Sequence, residues 1–319
     1  MAEGPGRACP VGYRYGTGAL RAQTAAIEAE TLYVAGGLYG NPFALDALLE
    51  MAVADRGAKV VFNGDFNWFD SGSEDFHRIN EAVLAHCATR GNVETELAQP
   101  AKGAGCGCGY PDWVGDAEVM RSNRILERLR ETAAGHPGVV ARLGALPMFV
   151  IARVGQARVA IVHGDAQSLA GWGFSQEVLA TPDGYAAACH AFESADVQVI
   201  ASSHTCLPVL QQFETPAGEA VLANNGAAGM PNFRGTRFGL ATRISTRPPD
   251  GTALYGVFAN GIYVHAIPIC YDTSAWERRF LEHWPAGTDA HLSYFARICE
   301  GPLYTPAQAM RSLPALALQ

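Results

Sequence analysis

Thr31-Leu32-Tyr33-Val34-Ala35-Gly36-Gly37-Leu38-Tyr39-Gly40-Asn41 is a β-type apolar run that breaks into glycines and a polar loop. β-Branched and aromatic residues favour strand. Glycine lets the backbone turn sharply or approach a ligand closely. A helix pattern follows at once: Pro42–Ala54 opens with proline and carries Phe43, Leu45, Leu48, Leu49 and Met51 at helical spacing. Lys59–Phe62 reads as a short buried strand, and Ser73–His86 as a second helix with Phe76, Ile79, Val83 and Leu84 on one side. This strand–helix alternation predicts a sheet with crossover helices and active loops at the strand carboxyl ends.

Four further loops extend the pattern. They are Gly64-Asp65, Gly91-Asn92-Val93-Glu94, Val162-His163-Gly164-Asp165 and Ser203-His204-Thr205-Cys206, each after or beside an apolar run. Asp, Asn and His at such tips are the residue types that hold hard or borderline divalent metals. Singly each is ordinary: a Gly-Asp pair is commonly a turn. In order, the five motifs resemble those of the calcineurin-like metallophosphoesterase superfamily, which read DxHGN, GDxxD, GNHE, a single His-Gly and GHxH. The resemblance spans about residues 31–268. It implies a four-layer α/β/β/α metallophosphoesterase sandwich over 31–270, with an N-terminal extension (1–30) and a helical C-terminal extension (271–319) packed on it.

The resemblance also implies two adjacent metals. Position by position, Gly37, Tyr39 and Cys206 stand where the first metal's private ligands, Asp, His and His, are expected. Asp65, Asn92, His163 and His204 match all four protein ligands of the second metal. One divalent ion (Mn, Fe or Zn) is therefore expected on those four, with Asp65, His163 and His204 as catalytic residues. Tyr39, Cys106, Cys108 and Cys206 form a candidate rebuilt second site, since thiolates suit softer ions. Adjacent-turn geometry for Cys106–Cys108 reads as poor for a disulfide. Val93 replaces a His that serves as acid or phosphoryl stabiliser, so simple aryl phosphate diesters are expected to be poor substrates.

The implied function is metal-dependent hydrolysis of a small phosphate ester. Two rivals are a pseudo-enzyme that binds metal or a phosphorylated ligand without turnover, and a thiol-linked metalloenzyme on the same scaffold. Asn67, Asn225, Arg234 and Arg237 are candidates for substrate contact, the arginines because guanidinium meets phosphate bidentately. Asp165 or Glu94 is expected to orient a neighbouring His or the water.

Composition bounds the rest. The 319 residues are 49% hydrophobic and 17% charged, enough for a sizeable core. A net charge of −8 argues against a general nucleic-acid surface. No apolar run is long enough to span a bilayer, and Met1–Pro10 lacks a signal-peptide core. The chain reads as cytoplasmic, with its eight cysteines as thiols, and Cys87, Cys189, Cys270 and Cys299 in the core. Residues 95–115 read as a loop insertion, Asp116–Thr132 as a helix, and Phe149–Val154 with Ala157–Val162 as a hairpin. Later strands, from Val197 to Ile267, read as the second sheet. The aromatics from Trp276 to Phe295 read as helices on the outside of the sandwich. Oligomeric state has no signal in the sequence.

Overall fold

The computed structural model describes residues 4–251 and 253–311. Expectations that touch 1–3, 252 and 312–319 lie outside the described residues. The strands are β1 (Ile27–Ala29), β2 (Thr31–Ala35), β3 (Lys59–Asn63), β4 (Cys87–Thr89), β5 (Phe149–Val154), β6 (Ala157–Val162), β7 (Val199–Ser202), β8 (Val209–Thr215), β9 (Gly218–Asn224), β10 (Gly239–Ser245), β11 (Tyr255–Ala259), β12 (Ile262–Ile269) and β13 (Met310–Arg311). They form a six-stranded sheet, β11-β12-β10-β2-β3-β4, and a seven-stranded sheet, β1-β5-β6-β7-β9-β8-β13.

Side-chain alternation explains the layers. On β2 and β3, Leu32, Val34 and Val61 point between the sheets, against Val159, Ile161, Val199, Ala201 and Val221. Their neighbours Tyr33, Ala35, Val60 and Phe62 point the other way, into helices that include Leu45, Leu48, Phe76, Ile79 and Ile125. On the far side, Ala160, Val162, Ile200 and Leu222 pack on Ala188, Ala191 and Phe192. Each sheet is therefore apolar on both faces, as a sheet covered on both sides must be. The result is a four-layer α/β/β/α sandwich.

β2, β3 and β4 are parallel, as are β6 and β7. Their carboxyl ends deliver Gly37, Asp65, Asn92, His163 and His204 to one rim, in keeping with the rule for α/β sheets.

Several sequence expectations need correction. The late strands do not all form the second sheet: β10, β11 and β12 join β2, with β10 antiparallel to it, and only β7 to β9 stay in the other sheet. The loop insertion begins later than residue 95, because Asn92–Ala98 is a helix capped by Glu94 reaching back to Gly91. Two helices, Gln176–Leu179 and Pro182–Ala195, follow β6, the second opened by Pro182. The tail forms the expected helices, Thr273–His283 and Asp289–Glu300, and their aromatics face inward. Trp276 and Phe280 are buried, and Trp284 Nε1 donates to the Phe69 carbonyl at 2.8 Å. Of the four cysteines read as core, Cys270 is exposed and the others are half-buried. Cys106 and Cys108 are paired as a disulfide, against the reading of eight thiols. No helix among the described residues is long and apolar enough to cross a membrane.

Candidate metal centre and its cleft

His163 follows the last residue of β6 and is buried. Its Nδ1 lies 2.9 Å from the Asn63 carbonyl. A carbonyl only accepts, so Nδ1 carries the proton and Nε2 faces the site with its lone pair. His204 has the reverse arrangement: its Nε2 lies 2.9 Å from the Cys108 carbonyl, leaving Nδ1 as the free lone pair. That Nδ1 is 3.2 Å from His163 Nε2. Asn92 donates its Nδ2 to the Cys106 carbonyl at 3.0 Å, which turns Oδ1 inward to 3.3 Å from His163 Nε2. Asp65 Oδ2 is also 3.3 Å from that nitrogen.

Four acceptors thus converge without a donor of their own. Left alone, such an arrangement is repulsive. A tetrahedral ion with bonds of ~2.0–2.1 Å sets its ligands about 3.3–3.4 Å apart, close to the spacing seen here. Protonation equilibria report the same demand for one positive charge. Burial disfavours the His163 imidazolium, but the adjoining Asp65 carboxylate outweighs it and raises the His163 pKa. Burial pushes the Asp65 carboxyl up, and the His163 charge and hydrogen bond overcome that to leave it lowered. His204 is pushed down to about 4 by burial and by His163. Among the described residues, Asp65, His163 and His204 also form the group of His, Cys, Asp and Glu side chains close enough to share an ion.

The loops are held from behind. Glu94 Oε2 accepts from the Asp65 and Gly91 backbone N–H groups at 2.8 and 2.9 Å, and Oε1 accepts from Asn67 N. Burial and the Asp65 charge push Glu94 up to about 7, against three backbone donors that favour its ionised form. Gly91 is required here: a Cβ would run into Asp65 Oδ1. Asp165 does not orient His163. It accepts from Gln167, Ser168 and Gly173 N–H groups and braces the loop that carries Trp172. The orienting partners of the two histidines are carbonyls, of Asn63 and Cys108.

The expected second site has a different fate. Tyr39 Oη lies 2.9 Å from Cys206 Sγ, so two of the replaced ligands bond each other. Burial and Cys206 hold the Tyr39 phenol well above its usual value, and burial raises Cys206. Both are neutral and neither is a metal-ready anion. The third replacement fits the same design. Gly37 has φ +65°, and a Cβ there would meet the Tyr39 ring at 2.9 Å. The tyrosine ring fills the space an aspartate would need. With Cys106 and Cys108 paired to each other, the thiolate set for a rebuilt site is not present.

Asn67, Asn225, Arg234 and Arg237 do not line the cleft. Asn67 bonds Asn80 and Glu94. Asn225 bonds both backbone groups of Gly36 and the Leu240 carbonyl. Both amides brace loops. Arg234 and Arg237 are exposed, and Arg237 pairs with Glu277. The cleft above the donors is instead walled by Tyr39, Trp68, Tyr110, Trp172 and Tyr294, with Val93 beside Asn92. Sequence reading singled out Tyr39 but did not place Trp68, Tyr110, Trp172 or Tyr294 here. The available signal was Tyr110 and Trp113 in a glycine-rich insertion, noticed only for its cysteines. Three cleft residues, Tyr39, Asp65 and Cys206, are non-glycine with positive φ. Such strain persists where the surroundings fix it, commonly at functional sites.

No protein-family model matches the chain, and no curated protein does. Solved structures do. A hypothetical protein from Pyrococcus horikoshii OT3 aligns with a TM-score of 0.57 at 16% identity, over 87% of this chain and 100% of its own. A metallophosphoesterase from Sphaerobacter thermophilus aligns with a TM-score of 0.53 at 15% identity, over 86% and 100%. The fold is that of the metallophosphoesterases.

Proposed function

We propose that this protein is a metal-dependent phosphoric ester hydrolase acting on a small substrate through one divalent ion, held by Asp65, Asn92, His163 and His204. The supporting observation is the donor set: two imidazole lone pairs, one carboxylate and one amide oxygen, with 3.2–3.3 Å between His163 Nε2 and its three neighbours. These mixed, borderline donors suit Mn²⁺, Fe²⁺ or Zn²⁺. When bound, the ion supplies Lewis-acid polarisation of a phosphoryl oxygen and lowers the pKa of water. The protein's part is to fix the donors. Asn63 and Cys108 set the histidine tautomers, Cys106 sets the Asn92 flip, and Val93 N–H holds Asp65 Oδ1 at 3.1 Å. The aromatic walls keep bulk water off the substrate.

A second reading, ligand binding without turnover, is favoured by the Tyr39–Cys206 contact and by valine at position 93. Elemental analysis and turnover with added Mn²⁺ separate the two. About one ion per chain with turnover lost in Asp65→Asn supports the hydrolase. One ion without turnover on any phosphate ester supports the binder, and no ion in the wild type sinks both.

A further inference from the structure

The cleft over the donor set is aromatic and lacks a cation. Neither Lys nor Arg is among its lining residues. Arg297 approaches from the tail helix, but its guanidinium donates to the carbonyls of Cys206 and Pro231 at 2.8 and 3.0 Å. A substrate's phosphoryl charge therefore has no side-chain cation to meet.

The rings are pinned by their polar tips. Trp172 Nε1 donates to the Cys108 carbonyl at 3.0 Å, and Tyr110 Oη meets Ser122 Oγ at 3.0 Å. The Trp172 ring centre is 5.5 Å from that of His204 and 5.9 Å from that of Tyr110. Trp113, 57% exposed, stands edge-on to Trp172 at 6.4 Å and carries the wall outward. An apolar wall of aromatic rings, tilted 46° to 85° to one another, thus starts against a donor histidine and runs to solvent. Offset or edge contacts with an aromatic ligand suit such a wall.

Proton supply points the same way. Val93 lines the cleft and has no proton to give. The Tyr39 hydroxyl is engaged with Cys206, and the His204 N–H with Cys108. The Tyr110 and Tyr294 hydroxyls, the other O–H groups of the wall, are engaged with Ser122 and with each other, and burial raises the pKa of both. A leaving oxygen here departs bearing its own charge. A phenol, with pKa about 10, tolerates that. An alkoxide, whose conjugate acid lies nearer water's ~15.7, does not.

We infer that the substrate is an aryl phosphate ester whose flat ring is the leaving group, seated against Trp172 and Tyr110. This rests on the hydrolytic reading above. In the step, the water oxygen bonds to phosphorus and the phosphorus–aryl oxygen bond breaks. The electron pair leaves on the aryl oxygen, and the water's proton passes to solvent. Loss of the acid slows the reaction overall, while the wall and the leaving group set the order among substrates.

The test has a binding arm and a rate arm. In calorimetry on protein without added metal, methyl phenylphosphonate is expected to bind about tenfold more tightly than methyl methylphosphonate. Trp172→Ala should erase that preference and Trp172→Phe should keep most of it. With Mn²⁺, substituted phenyl methyl phosphates should show kcat rising steeply as the leaving-group pKa falls, and methyl benzyl phosphate should be among the slowest. Val93→His should flatten that dependence, and Trp172→Ala should raise KM about tenfold with a much smaller change in kcat. Equal binding of the two phosphonates, or alkyl and aryl esters turned over alike, overturns the inference and leaves hydrolysis standing. Selective phosphonate binding with no ester turned over overturns the hydrolytic reading and the leaving-group claim together, leaving only an aromatic binding wall.

Discussion

Two sets of residues meet at this rim, and they have opposite local chemistry. At Asp65, Asn92, His163 and His204, each donor is turned inward by a hydrogen bond on its outer side. At Gly37, Tyr39 and Cys206, the groups satisfy one another: hydroxyl on thiol, ring over glycine. The first set is frustrated without a cation, and the second is complete without one.

Removing a donor from the first set should have the largest effect. In His163→Ala, metal affinity is expected to fall by well over about 100-fold, beyond the 10–100-fold typical of outer partners. Titration of Mn²⁺ into metal-free protein checks this. Undiminished affinity would mean that the four acceptors are not an ion site.

Rebuilding the second set should raise the metal content. The combined variant Gly37→Asp, Tyr39→His, Cys206→His is expected to go from about one to about two ions per chain, by elemental analysis. A count that stays at one would show that more than these three residues closed the position.

Gly37→Asp alone is expected to gain no metal and to lose roughly 1–3 kcal/mol of stability, because positive φ and the Tyr39 ring both oppose a side chain there. Denaturant unfolding measures the loss. A neutral result would argue that the tyrosine ring yields easily.

A last effect, one of pH, concerns Asp70, buried in the loop after Asp65. Burial pushes its carboxyl up to about 7 from 3.8. A raised carboxylate favours the protonated folded state. Stability is then highest below the unfolded value and falls as pH rises from about 4 to about 7, with a slope on the order of 1 kcal/mol per pH unit. Asp70→Asn keeps the acceptor for Trp68 N–H and should remove that slope. Parallel pH profiles for both proteins would refute it.

The convergence of Asp65, Asn92, His163 and His204 was legible because each sits in a short loop after an apolar strand, a local pattern. The cleft was not. Trp172 meets His204 through a loop braced by Asp165, and Tyr110 reaches the rim on an insertion whose shape depends on distant contacts. Ring partners across such distances leave no mark in sequence spacing. β4, three residues long, was too short to register, and alternation in β10 to β12 does not reveal which sheet a strand joins. Asn67, Asn225 and the two arginines show the complementary error: a side chain able to bind phosphate is equally able to brace a loop or pair on the surface.

The two ends of the chain bear on this one cleft. Near the start, Gly6 exchanges backbone hydrogen bonds with Ala104 and Tyr110, and Tyr13 Oη bonds Glu96. Near the finish, Tyr294 supplies a wall and Arg297 holds the Cys206 carbonyl. During synthesis all four donors have been made once His204 is added, whereas Arg297 comes about 90 residues later. At about 5–20 residues per second that interval lasts roughly 5–20 seconds. For that interval the nascent chain holds Asp65, Asn92, His163 and His204 without the residues that complete the cleft wall, so the order of assembly is written into the order of translation.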